Sequence, residues 1–206
     1  MNGLPANPYG LASVEVFAGA SRPVLHVVFK TNLPINDFGN LRLTTLSADE
    51  YAWLNDPTLG INASRARYGV GSVFMDEYLV EAARFWASYE ATAGYYGHNC
   101  PASDPSCVST TTFESRLPGI NSGGGQALDV GAPPLSWAYA QGRFMAEAAN
   151  CPNGSPIGCP LSESTVHFLL NVDPNIRLVG VGIALNGKSF SGGTALLDYM
   201  VEDLGN

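Results

Sequence analysis

Positive charge is scarce in this chain. Its residues include 10 Lys and Arg against 18 Asp and Glu, a net charge of −8, and the lysines are Lys30 and Lys188 alone. Nucleic-acid binding draws on a basic surface that displaces counterions, and none is encoded here. An anionic membrane surface is excluded as an electrostatic partner for the same reason. Long hydrophobic runs are also lacking: nothing approaches the roughly 20 apolar residues of a membrane-spanning helix. Charged residues of both signs make up 14% of the chain, below the usual share of about a quarter. In their place stand 23 glycines, 14 prolines and many Ser, Thr and Asn residues, a composition suited to long polar loops. With 206 residues, 46% of them hydrophobic, the chain has material for one well-filled core.

Cysteine is confined to four residues in two close pairs, Cys100/Cys107 and Cys151/Cys159. More than one connectivity is possible. The local pairing is expected, because each pair brackets a loop rich in Pro, Ser, Asp or Gly that needs a staple. The rival reading is a zinc site built from all four, but neither pair has the C-x₂₋₄-C spacing such sites prefer. Disulfides belong to oxidising compartments, so a secreted or periplasmic protein is expected. Met1-Asn2-Gly3 leads straight into a Pro/Gly-rich start, which reads as a mature or trimmed form without a secretory leader.

Residues 1–23 read as an irregular lead-in, and Val24–Phe29 as a buried strand in which His26 is a packing residue. Ser47-Ala48-Asp49-Glu50 has capping-box spacing and opens a helix. Asp56-Pro57 predicts a second helix start, running through Ile61 and Arg65 until Gly69 and Gly71. Met75, Leu79, Ala82, Ala83, Trp86 and Ala93 form an apolar stripe over residues 75–93, which Gly94 stops. Residues 99–134 read as one long loop, and 135–149 as a third helix with Trp137, Ala140, Phe144 and Ala148 on one face. The remainder reads as a meander, Thr165–Val172, Leu178–Leu185 and Thr194–Val201, with Asn186-Gly187 as a hairpin turn. Gly182–Ser189 matches the phosphate-loop pattern literally, but a phosphate loop must open a helix, and Phe190-Ser191-Gly192-Gly193 follows. Ser189 fails the G-x-S-x-G elbow, since Ser191 takes the place of its last glycine.

The chemistry concentrates on His98, Glu147 and His167. Only three histidines occur in the chain, and imidazole is both a common metal ligand and the usual acid/base near neutral pH. Glu147 falls three residues after Phe144 and seven after Ala140, so its carboxylate projects from the core side of its helix. A charge placed there must be paired, ligating or shifted in pKa.

Several segments, in order, resemble the CAP superfamily of cysteine-rich secretory, antigen-5 and pathogenesis-related-1 proteins (SCP-like extracellular domains). Asn62-Ala63-Ser64-Arg65 through Gly69 resembles its N-x-x-R…G signature, and Glu81–Ala87 its A-x-x-W/Y-A helix ahead of the first family histidine, here His98. Gly125-Gln126-Ala127 stands where the family has Gly-Glu-Asn, and Phe144-Met145-Ala146-Glu147 where it has W-x-x-E. Thr165-Val166-His167-Phe168 resembles the G-H-Y/F segment, and Leu178–Ala184 the V-G-x-G-x-A strand. The resemblance covers about residues 48–186. It implies an α+β fold, a three-layer α–β–α sandwich with a mainly antiparallel central sheet. Residues 48–206 would form the CAP/SCP-like domain, and 1–47 an N-terminal extension with at least one strand.

The resemblance also implies a cleft with two histidines, His98 and His167, able to hold a divalent metal such as zinc weakly. Glu147 and Gln126 would hydrogen-bond in the same cleft. Gln126 departs from the family: an amide nearly matches the carboxylate in shape but carries no charge and accepts no proton at neutral pH. The expected function is therefore an exported module that binds a small apolar ligand or a protein partner. The alternative is a metal-dependent hydrolase, protease- or esterase-like, with Glu147 as general base to a metal-bound water.

Overall fold

The computed structural model describes the backbone of residues 11–16 and 25–30, then residues 46–104, 107 and 125–205, less the side chains of residues 77 and 78. Much of the expected 99–134 loop, with Pro105, Pro118 and Gly123-Gly124, lies outside the described residues.

Within the stretch expected to be an irregular lead-in, Leu11–Val16 is a strand, β1. It pairs antiparallel with β2, Leu25–Lys30, in a register that sets Glu15 opposite His26. These two strands form a sheet of their own.

Ser47 starts helix α1, Ala48–Asn55, by the expected capping box. Its hydroxyl accepts from Glu50 N at 3.2 Å, and Glu50 Oε2 accepts from Ser47 N at 2.7 Å. Asp56 does not start a helix. Its Oδ1 accepts from the amides of Thr58 and Leu59, both at 2.9 Å, which makes an Asx turn. Helix α2, Ile61–Arg67, begins only after Gly60. Met75 belongs to a short strand β3, Phe74–Met75, so helix α3 spans Glu77–Ala93. Gly94 ends α3 with φ +66° and donates to Glu90 O at 2.9 Å.

The main sheet runs in the order β3-β5-β6-β4, where β4 is Gly125–Gly131, β5 Leu178–Lys188 and β6 Leu196–Gly205. β6 pairs antiparallel with both β5 and β4, while β3 runs parallel to β5. The sheet is thus mixed and mainly antiparallel. Gly180 and Gly182 let α3 lie directly on one face, since a Cβ at either would collide with the α3 backbone at Leu79 or Ala83. Leu128 and Val201 meet Ala83, Trp86 and Ala87 on that face. On the opposite face Val179, Val181, Ile183, Met200 and Leu204 pack against Trp53, Leu54, Ala140 and Phe144. The result is the expected α+β arrangement of helices on both faces of a sheet.

Four expectations about the C-terminal half need correction. β4 lies inside the stretch read as loop. The third helix, α4, covers Trp137–Ala146, and Glu147 opens a 3₁₀ turn, Glu147–Asn150, rather than sitting within the helix. Val166–Asn171 is a short helix, α5, not a strand; a brief apolar run has no periodicity to tell the two apart. Asn186-Gly187 is a β-bulge inside β5, with Asn186 at φ +56°, and the strand continues to Lys188. Both cysteine pairs close locally, Cys100–Cys107 with Cα atoms 5.6 Å apart and Cys151–Cys159 at 4.8 Å.

Candidate functional site

α3 delivers His98 to the edge of the sheet. After Gly94 the chain turns, and Trp86 Nε1 holds it by donating to Gly97 O at 2.9 Å. His98, exposed, then meets β4: its Nδ1 lies 3.2 Å from Gln126 Oε1. Gln126 is buried, and its Nε2 donates to Asp203 Oδ1 of β6 at 2.7 Å. The amide therefore has its oxygen toward the imidazole and its nitrogen toward the carboxylate. With that orientation His98 Nδ1 is the donor to the amide oxygen. Asp203 had no counterpart in the sequence reading, and it supplies a carboxylate to this site through Gln126.

Glu147 and His167 form a second pair, with Glu147 Oε1 2.6 Å from His167 Nδ1. The other carboxylate oxygen accepts from the amides of His167 and Phe168 at 2.9 and 3.2 Å. Those amides belong to the first turn of α5 and would otherwise be orphaned. Thr165, at the N-cap, directs its hydroxyl to Pro160 O at 2.6 Å, so Glu147 caps α5 from a distance. The His167 ring packs on Phe144 with centroids 5.0 Å apart.

The two pairs are carried by different elements of the fold. Strand alternation puts Gln126 and Asp203 on the α3 face, in line with Leu128 and Val201. Glu147 and His167 join α4 to α5, and α5 packs on the opposite face of the sheet, with Leu170 against Gly125 and Asn171 bonded to Glu202. Among the described residues no group of three or more His, Cys, Asp or Glu side chains is arranged to hold a metal. Beside His98 and Gln126 lies an open cleft of about 480 Å³, lined by neither Glu147 nor His167. His98 and Gln126 line one side; Val166, Leu169 and Leu170 of α5 line the other, with Asp173 at the rim.

Beneath α5 is a buried polar network. Asn171 Nδ2 donates to His167 O at 3.1 Å and to Glu202 Oε2 at 2.9 Å. Its Oδ1 accepts from Gln141 Nε2 at 2.8 Å, and Gln141 Oε1 accepts from Trp53 Nε1 at 2.9 Å. Arg65 is fully buried among carbonyls, donating to Gly71, Asn171, Asp173 and Ile176 at 2.6 to 3.2 Å. Burial brings its pKa down to about 10. Glu202 is pushed up to about 7 by burial, against the lowering influence of its Asn171 bond and of nearby Arg65. Asp129, on the same face, is likewise raised by burial, although Arg143 Nη1 stands 2.6 Å from its Oδ1. The Asn62-x-x-Arg65 motif is thus structural: Arg65 gathers loop carbonyls, and Asn62 brackets Val73, accepting from its N at 2.8 Å and donating to its O at 3.1 Å.

No family model matches the chain, and no curated protein does. Solved structures do. "MpPR-1i" is 16% identical, covering 84% of this chain and 90% of that one, with a TM-score of 0.43. Venom allergen-like protein 4 of Schistosoma mansoni is 13% identical over 78% of this chain and 89% of its own, at 0.48. An extracellular SCP-domain protein from Bacillus anthracis is 12% identical over 94% and 67%, at 0.46. The chain is similar to these structures, and the site residues described above are its own.

Proposed function

We propose that this chain is an exported CAP-like binding module whose cleft between His98 and α5 takes a small apolar ligand. The observation that carries this reading is the cleft itself. Its volume of about 480 Å³ is in the range of small-molecule sites, which combine apolar walls with a few oriented polar groups. Here Val166, Leu169 and Leu170 supply the apolar wall, and the His98–Gln126–Asp203 chain the oriented polar side. The two disulfides agree with an oxidising, extracytoplasmic location, and among the described residues no helix is long and apolar enough to cross a membrane. Hydrolysis with Glu147 as general base is less well supported, because both its oxygens already serve His167 and the first turn of α5.

Titration with the neutral fluorophore N-phenyl-1-naphthylamine, followed by displacement with cholesterol, tests the cleft. Val166→Asp puts a carboxylate on the apolar wall at a helix position that tolerates acid. Saturable binding that falls about tenfold or more in this variant is expected. Equal binding by both proteins would rule out this cleft as the ligand site.

A further inference from the structure

We propose that a second pocket, at the far end of β4 from His98, is a binding site for a small organic cation with an apolar body. The pocket holds about 490 Å³ and shares no lining residue with the His98 cleft. One cleft adjoins Gly125, and the other the loop after Gly131, so the strand rise puts them about 20 Å apart.

Its walls are Leu135, Trp137, Ile183 and Leu185. Its charged lining residues are Asp49 and Asp198, and no Lys, Arg or His lines it among the described residues. Asp198 is built into the pocket floor: its Oδ2 accepts from Leu135 N at 3.0 Å and its Oδ1 from Asn186 N at 2.8 Å. This carboxylate ties the loop before α4 to the bulge of β5, and both of these partners are neutral amides. Asp49 adds a second negative charge from the exposed first turn of α1. The indole of Trp137 is half-buried beside them. An indole, two acidic side chains and an apolar wall together select an ammonium group carrying hydrocarbon. The chain's net charge of −8 attracts such a ligand and repels an anionic one of the same shape.

Tryptophan emission gives the test, because Trp53 and Trp86 are fully buried while Trp137 is accessible. Phenethylammonium, neutral 3-phenylpropanol and anionic 3-phenylpropionate are titrated into the folded chain. The expected result is saturable perturbation by phenethylammonium, at an affinity about fivefold or more above that of either analogue. Asp49→Asn should lower phenethylammonium affinity about fivefold, and Leu185→Lys, at a position 58% exposed, should abolish binding while leaving the melting temperature near that of the parent. Equal affinity for the three compounds, no saturable binding of the cation, or unchanged binding in both variants would overturn the assignment.

Discussion

Gln126 donates to Asp203 at 2.7 Å across two neighbouring strands. The carboxyl group of this site therefore stands one residue behind the position where the family resemblance puts it. A carboxyl at 126 would face that of Asp203 without the amide N–H between them, and the repulsion of like charges at that distance favours keeping one proton on the pair. Gln126→Glu is thus expected to match the parent near pH 4 and to lose about 1–3 kcal/mol by pH 8, the cost of an uncompensated buried charge. Thermal denaturation across that range measures it. The same variant should gain no hydrolysis of ester or peptide substrates, and a clear gain would favour the hydrolase reading instead.

Glu147 supports His167 in two ways, through its side chain and through the amides of the helix that carries it. Glu147→Ala removes both, leaving first-turn amides without their acceptor. A loss of about 1–2 kcal/mol in urea denaturation is expected, as for other cap deletions. Glu147→Gln should recover only part of it, since the amide is a weaker acceptor than a carboxylate. If the alanine variant is as stable as the parent, the capping assignment fails.

What could be read from the sequence follows from how local each signal is. The capping box of Ser47 and Glu50, the apolar stripe of α3 and the stop at Gly94 are settled within a few residues, and all three are present. Glu147 stands out for another reason: helical phase would aim it at the core, and although the helix ends at Ala146, it meets His167 and the first-turn amides of α5. By contrast, β4 and the end of β6 carry Gln126, Asp129, Glu202 and Asp203 in buried positions. Polar residues there look like loop until their partners are known, and Gln126 lies 77 residues from Asp203. The Val166–Leu170 run was ambiguous because its helical state depends on a cap that Glu147 provides from 20 residues away.

The partners of the two histidines bear on metal binding. His167 Nδ1 is engaged by Glu147, and His98 Nδ1 by Gln126. A metal bridging them would be limited to the remaining ring nitrogens, with no third protein ligand grouped among the described residues. Zinc titration by calorimetry should therefore give the same weak affinity for the parent and for a His98→Ala/His167→Ala double variant. A tenfold or larger loss in the double variant would show that the two rings do converge on a metal.

Glu202 gives the fold a predictable pH dependence. Its pKa is near 7 in the folded chain against 4.5 for an ordinary glutamate. Between those values the folded state keeps a proton that the unfolded chain has released, so rising pH favours unfolding. The stability associated with the protonated carboxyl is whole below about pH 4.5, declines through neutrality, and is lost above about pH 7. The difference corresponds to about 3 kcal/mol. Glu202→Gln keeps the shape and the acceptor for Asn171 while removing the titration. It should be close to the parent at pH 4 and more stable at pH 8 by an amount of that order. Because Asn171 also donates to His167 O, amide exchange of α5 should slow in the variant at pH 8. Parallel stability curves for parent and variant between pH 4 and pH 8 would mean that Glu202 is not the group responsible.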